Sequence, residues 1–374
     1  MPRLLLICEY PTLLGGERSM LATLPAVRDA GFEVHVAAPA KGPLAEALRE
    51  RGIEHHAWPE RSPRATMLSS ETLRGELSRV IRRLQADLIH ANSLSTSRIS
   101  GPVAAEAGIP SVGHLRDILK LTGRAVADIN LHRRIVAVSH ATRNYHIAQG
   151  IDAARAIVLY NGVDLDEFQP RPATGYLHRE LHLPTNAQFV ANIGQICLRK
   201  GIPDALVVAE QLAKELPDVH WLLIGERASN KLESHAMEAQ LQSIASHRPL
   251  AGRVHFLGSR NDVPQILNEC QLLVHSARQE PLGRVLLEAA ASGVAVVATD
   301  VGGTREIFPT EEDGAVLVPS ADVLAMASAV RALVQNEQRR RAIGSAGRRR
   351  IEEAFDIRIA ARRMIEQYEA VVNE

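Results

Sequence analysis

The chain has no net charge, no paired cysteines, no long apolar run and very little lysine. Across 374 residues, Lys plus Arg and Asp plus Glu number 43 each. The first 167 residues carry 20 basic and 18 acidic side chains, so neither half is a basic module and no field points to nucleic acid. Cys8, Cys197 and Cys270 stand alone along the chain. Such isolated thiols argue against a disulfide framework and offer no zinc-ligand spacing; they fit a reducing, cytoplasmic compartment. No stretch of 18 apolar residues occurs, so no transmembrane helix is expected. Met1 to Cys8 is too short for the apolar region of a signal peptide and reads as a buried first strand. Only five Lys accompany 38 Arg, which draws attention to a Lys placed in a turn.

What is present is globular: 46% of residues are hydrophobic and 23% charged, and the length exceeds one ordinary core. Short apolar runs alternate with amphipathic stretches from end to end. Candidate strands are Leu4–Cys8, Glu33–Ala37, Glu54–Ala57, Asp87–His90, Ser111–His114, Ile135–Val138 and Ala156–Leu159. The rhythm breaks after Tyr160-Asn-Gly-Val-Asp164, and Pro170, Pro172, Gly175 and Pro184 mark a linker candidate. It resumes with Phe189–Ile193, His220–Ile224, Val254–Leu257, Leu272–His275, Val294–Ala298 and Ala315–Val318. Uniformly apolar strands joined by helices imply parallel sheets covered on both faces. The expected fold is therefore α/β, with two doubly wound Rossmann-like domains over 1–168 and 188–354 joined by a linker at 169–187. Such sheets bind ligands at the carboxyl ends of their strands, and the cleft between two of them is the default site.

Chemistry-bearing residues cluster at those strand exits. Glu280-Pro-Leu-Gly-Arg-Val-Leu-Leu-Glu288 follows an apolar run ending in His275-Ser276 and reads as strand, tight turn and helix. Pro281, Leu282, Gly283 and Arg284 form its turn, where the N–H groups of a helix start attract anions. Two carboxylates beside an anion-binding backbone suit a ligand that is part phosphate and part polyol, which describes a nucleotide sugar. Gly15-Gly16 precedes a helix after the first strand, as a phosphate approach or as a turn forced by geometry. Gly194-Gln195 opens the second domain, and Arg199-Lys200-Gly201 follows; the two cations suit a pyrophosphate, or form an ordinary exposed basic turn. His114-Leu-Arg116-Asp117 offers a hydrogen-bonding His at a strand end, or a structural one. Asp164-Leu-Asp166 has D-x-D spacing but lies at the linker with no further acidic cluster, so it is not read as a metal site. Val301 to Glu306 is one more Gly-rich strand exit, and its Glu306 reads as a first-turn dipole partner or a cleft residue. The Arg triplets Arg339–Arg341 and Arg348–Arg350 read as solvated helix faces, with peripheral contact to an inner membrane face left open.

Taken together, Gly15-Gly16, Asn161-Gly-Val-Asp164, Lys200-Gly201, Glu280-x7-Glu288 and Gly302-Gly303-x-x-Glu306 occur in the order of the family 4 retaining glycosyltransferases, which the chain resembles over nearly its whole length. The resemblance implies the GT-B fold, with an acceptor-side first domain, a nucleotide-sugar-binding second domain and a final helix from about Phe355 crossing back to the first. It implies that Glu280 lies near the donor sugar at the reaction centre, that Glu288 bonds the nucleotide ribose, and that Lys200 contacts the diphosphate. The backbone near Gly16 and Gly283 would approach phosphate or sugar, and His114 would contact the sugar. One departure stands out: the family often has Gly-Arg where this chain has Gly194-Gln195, so one phosphate cation is missing and Arg199 is the candidate replacement. The implied reaction moves a hexosyl unit from a nucleotide diphospho-sugar to a glycan, lipid-linked or small acceptor without a metal or other cofactor. An epimerase or sugar phosphorylase on the same scaffold, and a non-catalytic nucleotide-sugar-binding protein, are the competing readings. Donor base, acceptor and oligomeric state are not legible; Trp58–Met67 and Leu119–Asp128 are candidates for shaping the acceptor site.

Overall fold

The alternation of apolar and amphipathic stretches builds two parallel sheets. The computed structural model describes residues 1–59, 68–227 and 232–374, so most of the Trp58–Met67 segment lies outside the described residues. The chain divides into two compact units, Met1–Gly162 with Ile357–Glu374, and Val163–Asp356. Residues 169–187, read from sequence as a linker, belong to the second unit, where Tyr176–Glu180 is a short helix. Glu269 anchors this segment by accepting from the backbone of Thr174 at 2.6 Å and of Gly175 at 3.0 Å. A buried carboxylate far along the chain thus orders a stretch that has no apolar period of its own.

The first unit has seven strands: β1 (Arg3–Ile7), β2 (Glu33–Ala38), β3 (Glu54–Ala57), β4 (Leu88–Ala91), β5 (Ser111–Leu115), β6 (Arg134–Ala137) and β7 (Ala156–Val158). They pair in the order β3-β2-β1-β4-β5-β6-β7, all parallel. The second unit has six: β8 (Gln188–Ile193), β9 (Val219–Ile224), β10 (Val254–Gly258), β11 (Cys270–His275), β12 (Ala295–Thr299) and β13 (Ala315–Val318). Their order is β10-β9-β8-β11-β12-β13, again all parallel. Leu4 to Ile7, Val190, Ala191 and Leu272 to Val274 are buried, as strands covered by helices on both faces require.

In each sheet the chain winds outward one way, returns to the first strand and winds the other way. The reversal lies between β1 and β4 in the first unit and between β8 and β11 in the second. Loops at the carboxyl ends of such a pair diverge to opposite faces and leave a crevice, the favoured ligand position in this architecture.

The last helix, Ile357–Asn373, packs within the first unit. Its Met364, Tyr368 and Val371 join the core formed by Leu6, Met20, Leu24 and Phe32, with Tyr368 edge-on to Phe32 at 5.7 Å between ring centroids. At about 1.5–3 kcal/mol per fully buried large apolar side chain, these three residues hold the helix by on the order of 5 kcal/mol. Arg348 and Arg350 do not form a solvated face. Arg348 Nη1 donates to the carbonyls of Phe168 and Ala291 at 2.8 and 2.7 Å, and Arg350 Nε donates to Ile307 at 3.0 Å. Carbonyls at helix and loop ends need donors, and a guanidinium supplies several from one side chain. No helix among the described residues is long and apolar enough to cross a membrane.

Candidate active site

Glu280 lies in the loop between β11 and the helix Arg284–Ala291, on the second unit's reversal. This connection is longer than a tight turn, because it must present one carboxylate while its backbone is held on several sides. Gly303 N–H donates to the Glu280 carbonyl at 3.0 Å, and the N–H of Arg278 donates to the Arg199 carbonyl at 2.8 Å. Thr299 Oγ1 donates to the Ala277 carbonyl. Asn192, buried on β8, donates to the Val274 carbonyl at 3.0 Å and ties the two strands of the reversal together. A Cβ on Gly201 would stand 1.9 Å from the Ser276 carbonyl oxygen, so only glycine lets the Lys200 turn approach this loop.

The result is a buried polar cluster. Lys200 Nζ donates to Glu280 Oε2 at 2.5 Å, and His275 Nε2 donates to the same oxygen at 2.8 Å. Burial pushes the Glu280 carboxyl up, but the Lys200 ammonium and the His275 N–H outweigh burial and hold it well below the usual carboxylate range. Burial, assisted by Lys200, keeps His275 below its ordinary value. At neutral pH the cluster is therefore carboxylate, ammonium and neutral imidazole. Both bonds fall on Oε2, and no side chain among the described residues bonds Oε1. A ligand hydroxyl would find an ionised acceptor there that needs no reorganisation.

Arg199 sits in the same turn as Lys200. Its Nη2 donates to Gln195 Oε1 at 3.3 Å, and among the described residues it pairs with no carboxylate. Glu288, one turn into the helix Arg284–Ala291, is buried and accepts from Arg284 Nε at 2.6 Å, which fixes its rotamer. Gly283 is the N-cap residue of that helix, and Pro281 and Leu282 are buried in the loop before it. The structure thus brings Glu280 and Lys200 into contact, Arg199 against Gln195, and Arg284 against Glu288.

The first unit's reversal holds a second cluster. Gly15 and Gly16 are the first residues of the helix Gly15–Asp29, whose Glu17 accepts from the Leu14 N–H at 3.2 Å. Gly16 leaves room for the Arg116 side chain, 3.3 Å from where a Cβ would stand. Arg116 donates to the Asn92 carbonyl and side chain at 2.9 and 2.8 Å and to Asn161 at 3.0 Å. Burial lowers its pKa to about 10, so it stays cationic at neutral pH. His114, on β5, is buried and lines a cavity of about 30 Å³ with His90, Asn92, Arg116, Asn161 and Tyr368. That is room for about two waters.

Sequence reasoning passed over His90, Asn92 and Tyr368, and gave no site role to His275 and Asn161 although both stand in motifs quoted above. A legible signal existed for two of them: His90 and His275 each stand at or beside the carboxyl end of an apolar strand, as His114 does. Asp164 Oδ1 accepts from the N–H groups of Asp166 and Glu167 at 2.9 and 3.1 Å, so Asp164 caps a turn. Among the described residues, one group gathers three candidate metal-ligand atoms: His35, Glu54 and His56. Arg83 faces His56 Nδ1 at 3.4 Å, so the His56 proton sits on Nε2 and donates to His35 Nδ1 at 3.1 Å. His35 Nε2–H donates in turn to Glu33 at 3.1 Å, and Glu54 lies 3.5 Å from His35 Nδ1 and 3.7 Å from His56 Nε2.

The buried histidines make stability pH-dependent. Burial lowers the pKa of His90 to about 3 and of His132 to about 4. The unfolded chain binds these protons near pH 6.5, so stability is intact above that value and falls as pH drops through the window below it. Each group costs about 1.4 kcal/mol per pH unit, or about 2 kcal/mol at pH 5. Glu280 adds a loss of the same sign at lower pH, below about pH 4.5, where the unfolded carboxylate takes up its proton while the folded one stays ionised. The melting temperature is expected to fall between pH 7 and pH 5, with a shallower slope in His132→Gln; a flat profile in the wild type refutes it.

Comparison with known proteins accords with this geometry. The sequence model described as "Glycosyl transferases group 1" matches residues 176–350, and that of "Glycosyltransferase Family 4" matches residues 14–167. The lipopolysaccharide core biosynthesis mannosyltransferase LpsB of Rhizobium meliloti is 28% identical, over 69% of this chain and 75% of its own length. A phosphatidyl-myo-inositol mannosyltransferase of Mycolicibacterium smegmatis is 27% identical over 99% of this chain and 94% of its own. Anabaena HepE, solved with UDP and glucose, superposes with a TM-score of 0.87 at 23% identity, over 99% of this chain and 100% of that one. WaaG, a glycosyltransferase involved in lipopolysaccharide biosynthesis, gives 0.75 at 16% identity over 97% and 98%. Both structural neighbours have the GT-B fold. Family matches that run almost the length of the chain, on that fold, make it a member of the group 1, family 4 glycosyltransferases.

Proposed function

We propose that the enzyme moves a hexosyl unit from a nucleotide diphospho-sugar to a hydroxyl acceptor with retention at the anomeric carbon. The observation that carries this reading is the Glu280–Lys200–His275 cluster: an ionised carboxylate whose Oε1 meets no side chain among the described residues, beside Lys200 and Arg199 at a sheet reversal. The bond from the anomeric carbon to the diphosphate breaks, and the acceptor oxygen bonds on the same face. The acceptor's proton passes to the departing phosphate oxygen. Lys200 and Arg199 stabilise the charge growing on that diphosphate. Glu280, already bonded by a lysine and a histidine rather than facing a second carboxylate, orients the sugar and stabilises the cationic transition state without forming a covalent intermediate. Glu288 takes the ribose hydroxyls. The backbone at Gly15, Gly16 and Gly283 approaches phosphate or sugar, and His114 contacts the sugar. UDP and glucose bound to HepE, and mannosyl transfer by the named relatives, support a nucleotide-sugar donor. The acceptor is a glycan, a lipid-linked sugar or a small metabolite, the second of which would require peripheral membrane contact.

A thermal-shift panel of UDP, GDP and ADP with their sugars tests the donor and the role of Arg199 together. One nucleotide series at about 100 times its dissociation constant stabilises the fold by about 2.7 kcal/mol. Arg199→Ala is expected to weaken the shift and Gln195→Ala to preserve it, because the missing phosphate cation is supplied from Arg199. The reverse pattern overturns the Arg199 assignment, and no shift with any nucleotide overturns the donor class. A chelator is expected to leave both the shift and turnover unchanged, since the diphosphate charge is met by side chains and helix ends.

A further inference from the structure

The cavity in the first unit contains a hydrogen-bonded chain that ends on an unpaired atom. Tyr368, on the last helix, places its hydroxyl 2.5 Å from His90 Nδ1; His90 Nε2 lies 3.2 Å from His114 Nδ1. All three residues are buried, and the two imidazoles stack at 5.3 Å. His114 Nε2 is buried without a partner among the described residues.

The direction of this chain follows from counting protons. Burial raises the Tyr368 hydroxyl above its ordinary value, so it keeps its proton, and its one hydrogen-bond partner is His90 Nδ1. Burial holds both histidines well below theirs, so each is neutral and carries one proton. A tyrosine that donates to Nδ1 places the His90 proton on Nε2. That N–H must then donate to His114 Nδ1, which places the His114 proton on Nε2. The reverse orientation would strand the buried tyrosine proton without an acceptor, at a cost of about 1–3 kcal/mol.

We infer that Tyr368 and His90 are positioning residues that hold His114 as an Nε2–H donor, so that the cavity presents a neutral N–H beside the Arg116 guanidinium to an oxygen acceptor. The acceptor class is a hydroxyl or phosphoryl oxygen, because the Arg116 guanidinium and the His114 N–H are both donors, while the Asn92 amide is already held by Gly16 and Arg116. The last helix therefore does more than brace the first unit: it sets which end of a ligand His114 can read. The assignment of that oxygen to the donor sugar rests on the proposed function, whereas the proton position does not.

Imidazole ¹⁵N spectra of the full-length, ligand-free protein test the inference without any substrate, so that its failure is separable from failure of the proposed reaction. The expected wild-type result is a proton on Nε2 of both His90 and His114, assigned with His114→Gln. Tyr368→Phe removes the donor at the head of the chain and is expected to convert His114 to a mixture of tautomers or to the Nδ1–H form. His90→Gln can accept from Tyr368 and donate to His114, and is expected to retain the Nε2–H form; His90→Leu cannot, and is expected to lose it. A wild-type His114 protonated on Nδ1 overturns the inference even if no variant folds. So does an unchanged His114 tautomer in both Tyr368→Phe and His90→Leu.

Discussion

Glu280→Gln is expected to lower kcat at least tenfold, about 1.4 kcal/mol of transition-state stabilisation, while leaving a folded protein. The substitution preserves shape and one of the two bonds on the side chain. His275 Nε2 can still donate to the amide oxygen, but the Lys200 ammonium loses its counter-charge in a site where Glu280 is 5% exposed. Removing one partner of a fully buried ion pair costs about 3–5 kcal/mol. The Lys200 side chain retains 13% exposure and recovers part of its hydration, so the stability cost is expected at or below that range. Kinetics measured well below the melting temperature separate the two effects. Lys200→Met sharpens the test through a double-mutant cycle. In stability, the double variant is expected to lose less than the sum of the singles, since no unpaired charge remains. In kcat it is expected to be no better than Glu280→Gln, because the acceptor for the ligand is still missing. An unchanged kcat in a folded Glu280→Gln enzyme would refute the assigned role.

Gly302→Ala is expected to lower kcat on the order of a hundredfold without touching a charged group. Gly302 has φ +54° and packs against the Glu280 backbone; a Cβ would stand 1.9 Å from the Glu280 carbonyl oxygen. That carbonyl is also held by the Gly303 N–H at 3.0 Å. An alanine therefore incurs about 1–2 kcal/mol of left-handed strain and forces either its own backbone or the Glu280 loop to move. Movement of the loop displaces the carboxylate from Lys200 and His275, and a misplacement of about 1 Å can cost about 10²-fold in rate. Gly252 supplies the control. It has φ +77° and nothing within 4 Å of where a methyl would stand, so Gly252→Ala meets backbone strain alone. Its expected effect is about 1–2 kcal/mol of stability and no change in kcat. Equal kcat in Gly302→Ala and Gly252→Ala would show that the close approach to Glu280 does not matter.

The sheets were legible because their signal is local. Runs such as Leu4 to Ile7 and Leu272 to Val274 are uniformly apolar, short and bounded by turn residues, as strands buried on both faces are. The turns were legible for a similar reason, since Gly201 and Gly302 each mark a strand exit with a positive φ where a Cβ would run into a backbone carbonyl. The Arg348 and Arg350 contacts were not legible. An arginine triplet on a helix has the same sequence whether its guanidinium groups meet water or the carbonyls of Phe168, Ala291 and Ile307. Residues 169–187 lacked periodicity because their order comes from Glu269, about a hundred residues away, and not from a repeating apolar face.

The sequence alone determined the class of fold, the strand exits where chemistry concentrates, and the residue types there: a glutamate pair, two adjacent cations and a histidine. Tertiary structure decided which of them act together. Lys200 and Glu280 are 80 residues apart, and His90 and Tyr368 are 278 apart. Helical and strand periodicities report neighbours a few positions away. The partner of a buried charge depends instead on the order of strands in the sheet, which sets β11 beside β8 and β4 beside β1. That order is what puts an ammonium and an imidazole on one carboxylate oxygen, and a tyrosine proton at the head of a histidine chain.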